Sequence, residues 1–185
     1  IADEITPEWV YGIFSPSRIV CIYPSSPNWP WRALKIIFGL NCFIIFDNPK
    51  LLVQRLRNPK LKDRLVATFD KEKYLNTNGL SNIIANDSDN IDLLYLLLGI
   101  INSKLINYWY SFYFKDVNVK PDQISLIPIT IKDNENSKKI VELVKLILSE
   151  NSKKDINENK IKEISDKIDF QVNELYDLKE LNKKI

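Results

Sequence analysis

The hydrophobic pattern of this chain changes period once. Up to about residue 85, apolar positions alternate with polar ones or bunch into short runs; from about residue 90 they recur at steps of three and four. The alternation in Arg18-Ile19-Val20-Cys21-Ile22-Tyr23 and the β-rich run Phe43-Ile44-Ile45-Phe46 predict two strands, with a short helix over residues 31–40 between them. Residues 50–57 read as a strand, Asn58-Pro59-Lys60 as a turn, and residues 64–69 as the returning strand of a hairpin-like unit. In the first of these strands Lys50, Leu52, Gln54 and Leu56 share one face, while Leu51, Val53, Arg55 and Arg57 share the other. Neither face is purely apolar, so a local twist or bulge is expected near Arg55, with the segment from Gln54 to Arg64 projecting as a polar tip. A turn over residues 70–73 follows, and Asn78-Gly79 offers a positive-φ break before a strand over 80–84.

Beyond residue 90, Leu93, Leu94, Leu97, Leu98, Ile101, Leu105 and Trp109 describe one helix of some five turns, capped near residues 88–90, whose apolar face packs on the sheet. Ile124-Ser125-Leu126-Ile127-Pro128-Ile129 reads as a last strand, held to an edge by Pro128. Two amphipathic helices follow. Ile140, Leu143, Val144 and Ile147 mark the first, Ile161, Ile164, Ile168, Val172 and Leu175 the second, and polar residues 150–157 turn between them. The pattern predicts an α+β fold: a twisted, mostly antiparallel sheet with a packed helix, followed by a C-terminal helical hairpin. Residues 1–131 form one domain on this reading, and 132–185 are the hairpin packed on it.

Composition supports a folded chain, since 185 residues with 45% hydrophobic content can bury an ordinary core. Cys21 and Cys42 stand apart without a CxxC or a His-rich tract, which favours buried free thiols and a cytoplasmic location. The most apolar stretch, residues 91–114, is interrupted by Asp92, Asn102, Ser103, Lys104 and Asn107, too polar for a comfortable membrane span. The sequence opens on Ile and holds no Met, which reads as a piece of a larger protein without a signal peptide. Net charge is only +2, but its distribution is uneven. Residues 50–64 carry six cations against the single anion Asp63, whereas residues 132–185 carry twelve charges of each sign. The positive charge is local, as on a surface that meets a polyanion or on a solvated hairpin.

Catalytic patterns are missing. Four scattered glycines form no cofactor turn, and in Asp47-Asn48-Pro49-Lys50 a Lys and Leu51 stand where a base-holding Asn-Pro-Pro-aromatic motif needs Pro and a ring. Pro121-Asp122 with Glu158-Asn159-Lys160 is the nearest approach to a metal-dependent nuclease pattern, but the triplet opens a charged amphipathic helix. With no His, triads that need an imidazole are excluded, and no GxxxxGK[ST] loop cradles phosphate. The rings of Tyr108, Trp109, Tyr110, Phe112, Tyr113 and Phe114 suit either a base-stacking platform or, more commonly, a core corner.

Several stretches, in order, carry a family resemblance. Pro49 to Arg55, Arg64 to Asp70, Leu75-Asn76-Thr77 and Ile83-Ile84 resemble the basic strand, returning strand and following segment of TaqI-like C-terminal specificity domains. Leu96-Leu97-Leu98-Gly99-Ile100-Ile101-Asn102-Ser103-Lys104-Leu105-Ile106-Asn107 is similar to that family's LLGLLNSKLLN-type signature. Leu126-Ile127-Pro128-Ile129 resembles its Leu-Pro-Ile-Pro-like run, with Thr130 in place of the second Pro, and Asn173-Glu174-Leu175-Tyr176-Asp177-Leu178 its ELYGL-type ending, with Asp177 for Gly. The resemblance implies a non-catalytic module attached behind an adenine-N6 DNA methyltransferase domain, with or without an endonuclease. It implies double-stranded DNA and that N-terminal domain as partners, with no membrane. No cofactor is expected in this chain; S-adenosylmethionine is expected in the preceding domain. The DNA-binding candidates are Lys50, Gln54, Arg55, Arg57, Lys60, Lys62 and Arg64, with Asn76 and Asn78 on the loop after the returning strand. Two other readings stay open: a recognition subunit of a multi-component restriction system, and a protein-interaction module that docks a partner through the tail helices.

Overall fold

The computed structural model describes residues 47–76, 79–85 and 90–178, together with the backbone of 19–22. The helix expected over 31–40, the strand over 43–46, and residues Cys42 and Asn78 lie outside the described residues. Among the described residues four strands, β1 (Ile19–Ile22), β2 (Lys50–Gln54), β3 (Ala67–Asp70) and β4 (Leu80–Ala85), form one sheet in the order β1-β4-β2-β3, antiparallel throughout. Five described helices follow: α1 (Ile91–Asn102), α2 (Lys104–Tyr113), α3 (Pro121–Ser125), α4 (Glu135–Asn151) and α5 (Glu158–Leu175). The fold is α+β and ends in a helical hairpin, as the hydrophobic pattern predicts. No single described helix is long and apolar enough to cross a membrane.

The described residues gather into two compact units. The first takes those of 1–57, 67–94 and 116–126, and the second those of 58–66, 95–115 and 127–185. In the first, β2 is central and buried on both faces: Leu51 and Val53 on one, Lys50 and Leu52 on the other. Its mixed pattern follows from that position, because Lys50 is set opposite Asp70 in register and the two side chains pair inside the sheet. Past Gln54 the chain changes partner. The Arg55 amide donates to Gly79 O at 2.9 Å, Arg55 O accepts from Val119 N, and Arg57 N donates to Val117 O at 3.1 Å. Arg55 thus keeps one bond on the β4 side, while on the other side residues 55–57 take 117–119 as their neighbour in place of β3, with Leu56 opposite Asn118.

The expected last strand over 124–129 is not formed. Pro121 starts the short helix α3 instead, where its fixed φ suits a first turn and its missing N–H costs nothing. The Gln123 side chain accepts from Lys120 N at 3.0 Å, closing that turn.

In the second unit, the single helix expected over 90–112 is two helices, bent by 60° at Ser103. The Ser103 hydroxyl donates to Ile100 O at 2.7 Å, which ends α1, and accepts from Ile106 N at 3.3 Å, which starts α2. Asp169 of α5 accepts from Lys104 N at 2.8 Å, satisfying another donor of the same first turn. Asn107 ties this helix to the connection before β3: its Oδ1 accepts from Leu65 N at 2.7 Å and its Nδ2 donates to Leu65 O at 3.3 Å. The hairpin α4–α5 lies against α1 at Gly99, where a Cβ would stand 2.6 Å from Ile140 Cγ2 and 3.1 Å from Val144 Cγ2. Only a residue without a side chain permits that approach. Pro128 O accepts from the Tyr176 hydroxyl at 2.6 Å, and the same hydroxyl accepts from Thr130 N at 3.2 Å, so α5 supplies the backbone partners that a strand ladder would have given residues 128–130.

Candidate nucleic-acid interface

The basic segment expected to meet DNA divides by burial. Lys50 Nζ lies 2.6 Å from Asp70 Oδ2 and neither side chain is more than 3% exposed. Asp70 is committed further, because it accepts from Glu72 N at 2.8 Å and from Tyr74 N at 3.0 Å, fixing the turn after β3. Moving Lys50 to a phosphate would strand a buried carboxylate, at a cost of about 3–5 kcal/mol. Arg64 is also fully buried, with its guanidinium 5.8 Å from the centre of the Tyr110 ring. A buried cation cannot reach a phosphate without leaving the interior, so Lys50 and Arg64 stand apart from the exposed cations of the segment.

The others lie nearer the surface. Gln54, Arg55 and Arg57 are half-buried, and Lys60 and Lys62 are exposed. The Gln54 Oε1 accepts from Arg57 Nη1 at 3.0 Å while its Nε2 donates to Leu56 O at 3.2 Å. A planar amide thereby orients a planar guanidinium, which is the preparation that bidentate recognition of a base edge needs. Asn58 makes the turn that follows, its Oδ1 accepting from Lys60 N at 2.9 Å. Asn76 is half-buried and closes its own loop by donating to Leu80 O.

Sequence reasoning missed the partner of this segment. Residues 117–119 follow α2 with no alternation long enough to read as a strand, and only the pairing with 55–57 defines them. They are anchored from behind. Val119 is fully buried, and Asp116 Oδ2 accepts from Lys120 Nζ at 2.9 Å and from Gln123 Nε2 at 3.1 Å. The hydrogen bond from Lys120 to Asp116 holds the ammonium charged to higher pH than usual.

A groove of about 360 Å³ in the second unit is lined by Lys62, Lys104, Tyr108 and Lys115 among others. Lys104 is already committed there: its Nζ lies 2.7 Å from Asp166 and 3.0 Å from Asp169. The aromatic cluster of α2 is divided. Tyr110 is fully buried with Phe114 4.9 Å away, whereas Tyr108, Phe112 and Tyr113 are exposed. Among the described residues no three His, Cys, Asp or Glu side chains gather as metal ligands would. Of the glycines, Gly79 stands in the turn before β4 and Gly99 inside α1.

A family model described as the TaqI-like C-terminal specificity domain matches residues 28–129. The chain belongs to that family, the DNA sequence-specificity domains of restriction-modification proteins. Comparison with curated proteins finds no match.

Proposed function

We propose that this chain selects the target sequence for an adenine-specific DNA methyltransferase, either a stand-alone modification enzyme or one fused to an endonuclease. The observation that carries the reading is the family match over residues 28–129. On this reading Gln54, Arg55 and Arg57 meet base edges in the major groove, where Arg pairs with guanine and Gln with adenine. Lys60 and Lys62, on the exposed turn, reach phosphates as point charges. S-adenosylmethionine and the flipped adenine are held by a methyltransferase domain that precedes this one, and the specificity domain keeps the duplex in register while the base is out of the stack.

The test is expression of the whole coding sequence in a host free of DNA methylation, followed by mapping of modified bases. N6-methyladenine within one short motif is the expected result. Methylated cytosine, or no methylation together with a coding sequence lacking an upstream cofactor-binding domain with an Asn-Pro-Pro-Tyr motif, would turn the assignment towards a recognition subunit of another restriction system.

A further inference from the structure

We infer that the groove beside the basic turn is a phosphodiester site, which takes a backbone phosphate of the bound duplex through Lys62, Ser111 and Lys115. The inference rests on the recognition reading above, which already places Lys62 on a phosphate, and adds Ser111 and Lys115 from outside the basic segment. Lys104, Tyr108, Ser111 and Lys115 follow one another at steps of four, three and four, so they share one face of α2 and its C-terminal end. With the turn that carries Lys62 and Asp63 they line the groove of about 360 Å³.

Charge is the first observation. Lys104 is answered by Asp166 and Asp169, whereas Lys62 and Lys115 are exposed and make no ion pair among the described residues. Lys115 donates to the Ser111 carbonyl, a contact that leaves its ammonium without a counterion. Asp63 is the single carboxylate in the lining, so the groove favours an anion. The second observation is the Ser111 hydroxyl, whose oxygen is buried without a hydrogen-bond partner. In a helix such a hydroxyl commonly bonds back to a carbonyl of the preceding turn. Left unpaired, it costs free energy that an acceptor oxygen in the groove recovers. Shape is the third: Tyr108, 74% exposed, sets an aromatic ring in the same wall, where its apolar face suits the deoxyribose next to a phosphate. A phosphodiester matches the set, because it carries one negative charge and presents two acceptor oxygens to the two ammonium groups and the hydroxyl.

The experiment titrates the full chain with a duplex bearing the mapped motif and with an unrelated duplex, over a range of salt, for wild type, Lys115→Gln, Ser111→Ala and Lys138→Gln. The melting temperature of each is measured alongside. Lys115→Gln should lower the slope of log affinity against log salt by about one on both duplexes and keep the wild-type melting temperature. Ser111→Ala should weaken both complexes about 2- to 10-fold with the slope unchanged. Its melting temperature should not fall, since the hydroxyl it removes is unpaired. Lys138→Gln makes the same change of charge on α4, outside the groove lining, and should bind as wild type does. If Lys115→Gln and Ser111→Ala bind like wild type while the chain still prefers its motif, the groove is no DNA contact and the recognition reading stands. An equal loss of slope in Lys138→Gln would assign the effect to overall charge and overturn the site too. Inorganic phosphate that raises the melting temperature of wild type but not of Ser111→Ala, with duplex binding unmoved in both groove variants, would give the groove to a free phosphate instead. A wild-type chain that binds no duplex would overturn both readings.

Discussion

Asp177 stands in the left-handed region, with φ 59°, at the position where the resembled family ending has Gly. It follows the last turn of α5, and the hydrogen bonds from Leu178 N to Asn173 O and from Asp177 N to Glu174 O complete a Schellman closure. That conformation strains any residue with a Cβ, though Asp less than most. The compensation is its ion pair with Lys132 at 3.1 Å, between side chains 44% and 79% exposed, which is worth little in water. Asp177→Gly should therefore stabilise the chain by about 1 kcal/mol, read as a rise in the urea midpoint with an unchanged slope. A lower midpoint would mean that the Lys132 contact outweighs the strain.

Elements were legible where one local signal ruled them and obscure where a distant side chain did. The hairpin helices α4 and α5 follow from Ile140, Val144, Ile164, Ile168 and Val172, all buried. β2 and β4 were legible from their short apolar runs, Leu51-Leu52-Val53 and Ile83-Ile84. The break between α1 and α2 was not, because the apolar period runs through it and Ser103 becomes a cap only with Asp169 supplied from α5. The strand expected over 124–129 failed for a related reason, since Pro121 starts a helix and the Tyr176 hydroxyl serves the backbone that follows. Of the candidate site, the cluster of cations was plain in the sequence, but Lys50 and Arg64 could be separated from Lys60 and Lys62 only by burial. Charge composition does not encode which cation a carboxylate 20 residues away will claim.

The turn between α4 and α5 depends on Glu150, which accepts from both Lys153 and Lys160. Those hydrogen bonds hold its carboxyl below the usual 4.5. A depressed carboxylate adds stability that is fully present above its unfolded value and is lost as pH falls through the folded one. Asp166, held down by Lys104, and Glu163, held down by Lys167, act in the same direction on α5. The chain should lose stability below about pH 4.5. Glu150→Gln should lower the urea midpoint at pH 7, and the gap to wild type should shrink as pH falls below the usual 4.5 and through the lowered folded value. A gap that stays constant over that range would assign Glu150 a packing role instead.

For the whole molecule, the decisive quantity is how many cations can release counterions from DNA, not the net charge of +2. Each phosphate neutralised adds about one to the slope of log affinity against log salt. Lys60 and Lys62 are exposed on the turn, so Lys60→Ala and Lys62→Ala should each lower the slope by about one and weaken binding to every duplex alike. Replacing Gln54, Arg55 or Arg57 by Ala should instead cost about 1–3 kcal/mol on the target alone and relax preference at one base pair. Gln54→Ala carries a second expectation, because it frees the Arg57 guanidinium and so should blur the position that Arg57 reads. Lys50→Met separates charge from contact. It removes a cation of the same segment whose partner is Asp70 rather than DNA, so it should destabilise the fold and leave the salt slope of the folded fraction as in wild type. Titration of target and singly substituted duplexes at several salt concentrations reads all of these at once. If Lys50→Met lowers the slope as far as Lys60→Ala does, the buried pair opens on DNA and the division of the basic segment by burial is wrong.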